Sequence, residues 1–404
     1  MKRAVCLYLH VHQPWRIKHY TIFDIGGSHT YFNDETPQAD TNNKFIIRKV
    51  ADKSYLPTNQ ILLEALNEHD DFRLSLSFSG SVIEQLAAWA PDALDSFIAL
   101  VATGKVEILA ETYNHSLAWF FSKEEFEAQV KRHAEAIKDT FDTEPTAFRN
   151  TELAYNNQLA GWADEAGYEA IITEGWEPVL GWRSPNFLYR PAGTEQIKLL
   201  MKNYKLSDDI AFRFSNQEWR EWPLTAGKYS AWLDAIPDDQ PLVNLFMDYE
   251  TFGEHQWSDT GIFDFLRDFI SRSITTGNRE FLTITQAARQ LEAADEVSVE
   301  QTITWADTNR DLTAWLGNSM QTEASRFLYG LESAVKQAGD ADLLADWRKL
   351  TSSDHFYYMC AKWFNDGDVH AYFSPYESPY EAYINFMNAV HDIQYRLAEK
   401  DPAE

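Results

Sequence analysis

The chain has 404 residues and a formal charge of −27, and 14% of its residues are aromatic, including 14 Trp, 19 Tyr and 25 Phe. Its length exceeds the usual reach of one hydrophobic core and predicts a large domain plus a smaller one, while the aromatic content excludes a disordered or low-complexity chain. The negative field excludes nucleic acid and acidic membrane surfaces as partners; neutral sugars, whose apolar ring faces stack on indole and phenol, suit the Trp content.

Met1-Lys2-Arg3 is followed by too short an apolar run for a secretory signal, and no window approaches a membrane span, so a cytoplasmic protein is expected. The first predicted strand, residues 4–10, ends in HVHQP, with His10 and His12 on one face. Their H-x-H spacing suits two metal ligands, or two imidazoles donating to substrate hydroxyls. Residues 26–56 are polar and read as a long excursion with a short helix at 43–53, of the kind that builds a substrate groove.

Strands are predicted next at 72–78 and 105–111, separated by a stretch at 81–105 with apolar residues at three- and four-residue spacing. His115 follows the third strand and is a candidate for the same rim, or for an ordinary local hydrogen bond. A second helical pattern, 122–141, leads to a strand at 146–152 that ends in Glu152. Alternation along that strand sets Asn150 and Glu152 on one face and Arg149 and Thr151 on the other.

Further strands are predicted at 169–173, 196–203, 242–248 and 281–284. The run LVNLFMDYETFGEH stops abruptly at Asp248, Glu250, Glu254 and His255, delivering carboxylates to one rim of a sheet. Burial raises a carboxyl pKa and a second carboxylate raises it further, so one acid of such a group can stay protonated while another is ionised. The pattern does not choose between Asp248 and Glu250 as the acid. Trp257, Trp305 and Trp315 stand near these acids or open the helical part, as candidate sugar platforms or as packing residues. From about Asp311 the pattern is helical only, at 311–339, 341–364 and 380–400, which suits a small bundle. Cys6 and Cys360 lie in apolar runs and read as buried thiols, not as a bridge.

Strict alternation of strand and helix predicts parallel strands with right-handed crossovers, and seven or eight units predict a closed or nearly closed barrel. A doubly wound open sheet is the alternative, but no Gly-rich dinucleotide turn follows the first strand.

Together, HVHQP at 10–14, GKVEILAETYNHSL at 104–117, FRNTELAY at 148–155, FMDYETFGEH at 246–255 and WADTNRDLTAWLGN at 305–318 resemble the five ordered signature regions of glycoside hydrolase family 57. The resemblance implies an α/β fold, an incomplete (β/α)7 TIM-like barrel over residues 1–300, followed by a C-terminal α-helical bundle over 301–404 that contributes to the cleft. It implies Glu152 as nucleophile and Asp248 as general acid/base, with the His10 and His12 pair in the subsite around the cleaved bond. It implies an α-glucan or maltooligosaccharide substrate, no cofactor and no metal, and an α-amylase-like, glucanotransferase or branching activity. Arg149 and Asn150 stand where the family usually has aromatic or aliphatic residues, which points to an α-amylase-like subgroup. A seven-stranded barrel also requires that either 196–203 or 281–284 is not a barrel strand. Two other classes remain open: a metal-dependent deacetylase-like hydrolase using His10, His12 and an Asp, and a non-catalytic glucan-binding protein.

Overall fold

The computed structural model describes residues 2–362 and 373–400. Ten strands occur among them: β1 (Arg3–Val11), β2 (Leu74–Phe78), β3 (Val106–Ile108), β4 (Ala147–Arg149), β5 (Ala170–Glu174), β6 (Leu188–Pro191), β7 (Lys198–Lys202), β8 (Leu242–Asp248), β9 (Arg279–Phe281) and β10 (Asp295–Val297). They form two five-stranded sheets, one ordered β3-β2-β1-β8 with β9 beside β1, the other β10-β6-β7-β5-β4. Only the β6–β7 pairing is antiparallel.

Two seams join the sheets. Ala110 and Phe148 form a parallel bridge between the segments that follow β3 and build β4. On the other side the Asn203 N–H donates to the Asn244 carbonyl at 2.9 Å, and Asn244 Nδ2 donates back to the Met201 carbonyl at 2.9 Å. The parallel strands can therefore be followed from β1 through β2, β3, β4, β5, β7 and β8 back to β1. Every residue of β1 from Ala4 to Val11 is buried, the near-continuous apolar run of a parallel strand covered on both faces. Its register sets His10 opposite Ser77 of β2 on one side and Asp248 of β8 on the other, so the strand ends converge at one rim.

The predicted 281–284 strand is corrected. β9 covers Arg279–Phe281 and pairs only with the first residues of β1, Arg3 to Val5, and Ile284 already begins a helix capped by Thr283. The 196–203 run is a strand of the ring, as β7, whereas β6 and β10 were not anticipated. The helical stretch at 81–105 divides into Gly80–Trp89 and Pro91–Ala102, because Pro91 lacks the N–H that would continue the first helix and instead starts the second. The 43–53 helix is Asn43–Val50, continued by a π-turn at Ala51–Tyr55 and a second helix, Leu56–Glu68.

The C-terminal part is helical as expected, with more breaks. The 311–339 stretch holds Thr313–Leu316, Ser319–Gly330 and Glu332–Gln337. The 341–364 stretch is Ala341–Leu350 and then Ser353–Tyr357, and its last two residues lie outside the described ones. The break between them is held by tertiary contacts: Ser116 bridges Ser352, and the Ser353 N–H donates to the His115 carbonyl at 2.8 Å. Pro379–Lys400 is a single helix. The apolar cluster of these helices also takes in Ile17, Tyr20, Tyr31 and Phe32, so the start of the excursion and the segment before it pack on the helical part. Cys6 and Cys360 are both buried and form no disulfide. Among the described residues no helix is long and apolar enough to cross a membrane.

Candidate active site

β4 stops at Arg149, and residues Thr151–Leu153 form a 3-10 turn in which Glu152 has φ 60° and ψ 23°. Strand alternation therefore does not set the direction of Glu152, and the predicted sharing of a face with Asn150 is corrected. A non-glycine residue in the left-handed region costs roughly 1–2 kcal/mol, and such strain persists only where surroundings over-determine it. Here the Glu152 carbonyl accepts from the Trp305 N–H at 3.2 Å, and the side chain is held at both oxygens. Oε1 accepts from His115 Nε2 at 3.2 Å and from Ser353 Oγ at 2.8 Å, while Oε2 accepts from Trp305 Nε1 at 2.8 Å. Burial works to raise the Glu152 pKa, but the hydrogen bond and charge of His115 outweigh it and hold the carboxyl below its ordinary range.

His115 also has a left-handed backbone, φ 52°, and sits between two acids, with Nδ1 3.4 Å from Glu111 Oε2. Burial disfavours its cation, yet the bonds to Glu111 and Glu152 prevail and push its pKa up to about 9. Its ring stacks on His12 with centroids 4.0 Å apart and on His10 at 4.9 Å. Those two imidazoles are held neutral: burial and then Arg149 lower His10, and burial and then His115 lower His12. Arg149, fully buried, donates to Glu111 Oε2 at 3.0 Å.

The nitrogens of His10, His12 and His115 lie within 4.8 Å of one another, a spacing that a metal ion could bridge. Their nitrogens are already engaged. His12 Nδ1 meets Ser79 Oγ at 2.6 Å and Nε2 meets Asp354 Oδ2 at 2.9 Å; His10 Nδ1 meets Ser77 Oγ at 2.8 Å. His10 Nε2 faces the Arg149 guanidinium at 3.4 Å. A donor set whose nitrogens already meet hydroxyl, carboxylate and guanidinium partners fits a cation poorly.

β8 ends at Asp248 as expected, but residues Tyr249–Thr251 turn as a 3-10 helix, so Asp248 and Glu250 do not share a strand face. The Asp248 carboxyl accepts no hydrogen bond from the described residues, and burial followed by the charge of Glu152 raises its pKa to about 6. Glu250 Oε1 accepts from the Tyr55 hydroxyl and from Gln13 Nε2 at 3.3 Å. Burial and then Asp248 push Glu250 to about 8.

His10, His12, His115, Glu152, Asp248 and Trp305 line one cavity of about 790 Å³. Trp315 reaches its wall but is only 1% exposed and belongs to the helical core. Trp257 does not line it: the indole is 59% exposed, with Lys53 Nζ 5.5 Å from the ring centroid. Asp354, Ser353, Glu111 and Arg149 were not singled out from sequence as site residues. Asp354 and Ser353 lie in a stretch with ordinary helical periodicity, and only the break before Ser353 sets them against Glu152 and His12.

Residues 6–300 match the model of glycosyl hydrolase family 57. The chain belongs to this family. It is accordingly a glycoside hydrolase. Over 368 residues, 88% of this chain and 78% of the relative, it is 41% identical to a Methanocaldococcus jannaschii protein described as "putative alpha-amylase". Its fold is similar to that of a family 57 branching enzyme from Thermococcus kodakaraensis, with TM-score 0.74 and 12% identity over 98% of this chain and 90% of that one. It is also similar to a 4-alpha-glucanotransferase from Thermococcus litoralis, with TM-score 0.65 and 17% identity, covering 88% of this chain and 56% of that one.

Proposed function

We propose that this family 57 member cleaves α-1,4 linkages of α-glucans or maltooligosaccharides with retention, through a covalent glycosyl intermediate on Glu152. The observation that carries the reading is a single cavity holding two carboxyls of opposite protonation tendency, Glu152 depressed and Asp248 raised to about 6. An oxygen of ionised Glu152 attacks the anomeric carbon as the glycosidic C–O bond breaks, and the Asp248 proton passes to the departing oxygen. Asp248, now a carboxylate, takes a proton from water or from a sugar hydroxyl. That oxygen displaces Glu152 and restores both groups. Water gives hydrolysis and a sugar hydroxyl gives transfer.

Asp248 suits the acid role better than Glu250 because none of the described residues donates to its carboxyl oxygens, while Glu250 is tied to Tyr55 and Gln13. His115 supplies the positive charge that keeps Glu152 ionised. We read His10 and His12 as walls of the subsite at the cleaved bond, because hydrogen bonding of their nitrogens favours this over metal ligation. Trp305 serves as the aromatic wall next to the nucleophile.

The ring of parallel strands reads as the incomplete (β/α)7 barrel, with residues 1–300 as the catalytic domain. The described residues from 301 onward then form a helical domain that lends Ser353 and Asp354 to the cleft. The test is covalent trapping with a mechanism-based α-glucosyl reagent, followed by peptide mapping. The label is expected on Glu152, with Asp248→Asn slowing its release; a label on another carboxylate overturns the assignment. Product analysis on maltooligosaccharides reports on transfer, since only transfer yields products longer than the substrate.

A further inference from the structure

Four charged side chains next to Trp305 were given no role above, although the charge of Lys202 works against the rise of the Asp248 pKa. Lys202, the last residue of β7, is 4% exposed, with Nζ 2.9 Å from Asp208 Oδ1 and 3.6 Å from Glu174 Oε2. Arg310 meets the same two acids, Nη1 3.5 Å from Glu174 Oε2 and Nη2 3.7 Å from Asp208 Oδ2. Two acids thus hold two cations, and both cations reach Trp305. Arg310 Nη1 donates to the Trp305 carbonyl, and the Arg310 carbonyl accepts from the Thr304 N–H at 2.9 Å. Lys202 Nζ lies 5.6 Å from the centroid of the Trp305 ring.

Trp305 occupies a loop, between β10 and the helix Thr313–Leu316, so no regular element fixes its ring plane. An indole has one N–H, and its aim is the aim of the ring. A cation against the ring both fixes that plane and withdraws electron density, which makes the N–H a stronger donor. The recipient is Glu152 Oε2, 2.8 Å away.

We infer that Lys202 and Arg310, anchored on Glu174 and Asp208, are positioning residues that aim the Trp305 N–H at Glu152. They act on the nucleophile through Trp305 and not by contact with it. The inference rests on the proposed role of Glu152. Because Lys202, Asp208 and Arg310 also line the cavity, the competing view is that they bind sugar hydroxyls directly.

A double-mutant cycle separates these views. Lys202→Met, Trp305→Phe and the combined variant are compared in kcat, in KM for maltooligosaccharides, and in the rate of covalent trapping on Glu152. Each single change is expected to slow trapping roughly 10-fold with KM little altered, and the combined variant to be no slower than Trp305→Phe alone. A combined loss near ~100-fold, or a rise in KM in place of a fall in kcat, overturns the inference. If thermal unfolding shows that Lys202→Met does not fold, Arg310→Lys enters the same cycle with the same expectation. Failure of the wild-type protein to be labelled at Glu152 would refute the proposed function itself. Labelling at Glu152 with independent, multiplying losses would refute only the role of Lys202 and Arg310.

Discussion

His115 Nε2 donates to Glu152 Oε1 at 3.2 Å, across the seam between the two sheets. His115 follows β3 and Glu152 follows β4, strands of different sheets, and both residues have left-handed backbones. The bond couples a structural junction to the protonation of the candidate nucleophile.

That coupling gives stability a definite pH dependence. The folded pKa of His115, about 9, lies above its unfolded value, so the stability it contributes is complete below about 6.5 and is lost as pH rises through 9. His10 and His12 are shifted downward and act only below about 6.5, so they do not obscure this window. Urea unfolding from pH 6.5 to 9.5 is expected to show a decline to which Glu250, raised to about 8, contributes in both proteins, and which is smaller in His115→Gln by about 1–3 kcal/mol. A parallel decline in the variant would remove His115 as its source.

In the proposed mechanism Asp248 works as an acid only while protonated, so kcat/KM is expected to fall as pH rises through about 6. Glu152 raises that pKa by its charge. In Glu152→Gln the Asp248 pKa should therefore drop, which infrared or NMR titration of the carboxyl can follow. An unchanged value would mean the two groups do not sense each other.

His12 is neutral, so Nε2 donates to Asp354 Oδ2 while Nδ1 accepts from Ser79. Truncation by Asp354→Ala leaves a half-buried ring donor unpaired and is expected to cost about 1 kcal/mol in denaturant unfolding. It should also lower kcat/KM, since His12 stacks on His115. Full activity in a destabilised variant would confine Asp354 to a structural role.

The three tryptophans are expected to separate by assay. Trp315→Ala empties a buried site and should destabilise the fold by about 3–5 kcal/mol. Trp257→Ala, at an exposed position outside the cavity wall, should change stability by less than about 0.5 kcal/mol and leave turnover close to wild type. Trp305→Ala should lose turnover most, with stability far less affected than in Trp315→Ala.

Exhaustive treatment with a chelator is expected to leave activity on maltooligosaccharides unchanged, because the nitrogens of His10, His12 and His115 are committed to hydrogen bonds. Loss of activity on chelation, restored by zinc, would instead place a metal among these rings.

Several elements were legible in the residues themselves. β1 and β8 are long apolar runs that end in chemistry-bearing residues, and a buried parallel strand needs no partner information to be recognised. The helices Lys123–Phe141 and Pro379–Lys400 follow from their spacing alone. The short strands β6 and β10 carry too few residues for a periodic signal, and the residue pattern places Ile284 in a strand because a capped helix start and a strand end look alike over four residues.

The sequence by itself determined which apolar runs lead to His10, Glu152 and Asp248, because burial of each run places the residues at its end at a sheet rim. Tertiary structure alone decided how those groups behave. The turn at Glu152 overrides strand alternation, the broken helix before Ser353 brings Asp354 to His12, and Glu111 with Glu152 charges His115. Direction and protonation depend on neighbours from distant parts of the chain and on shared burial, and neither is a property that a local pattern of residues can hold.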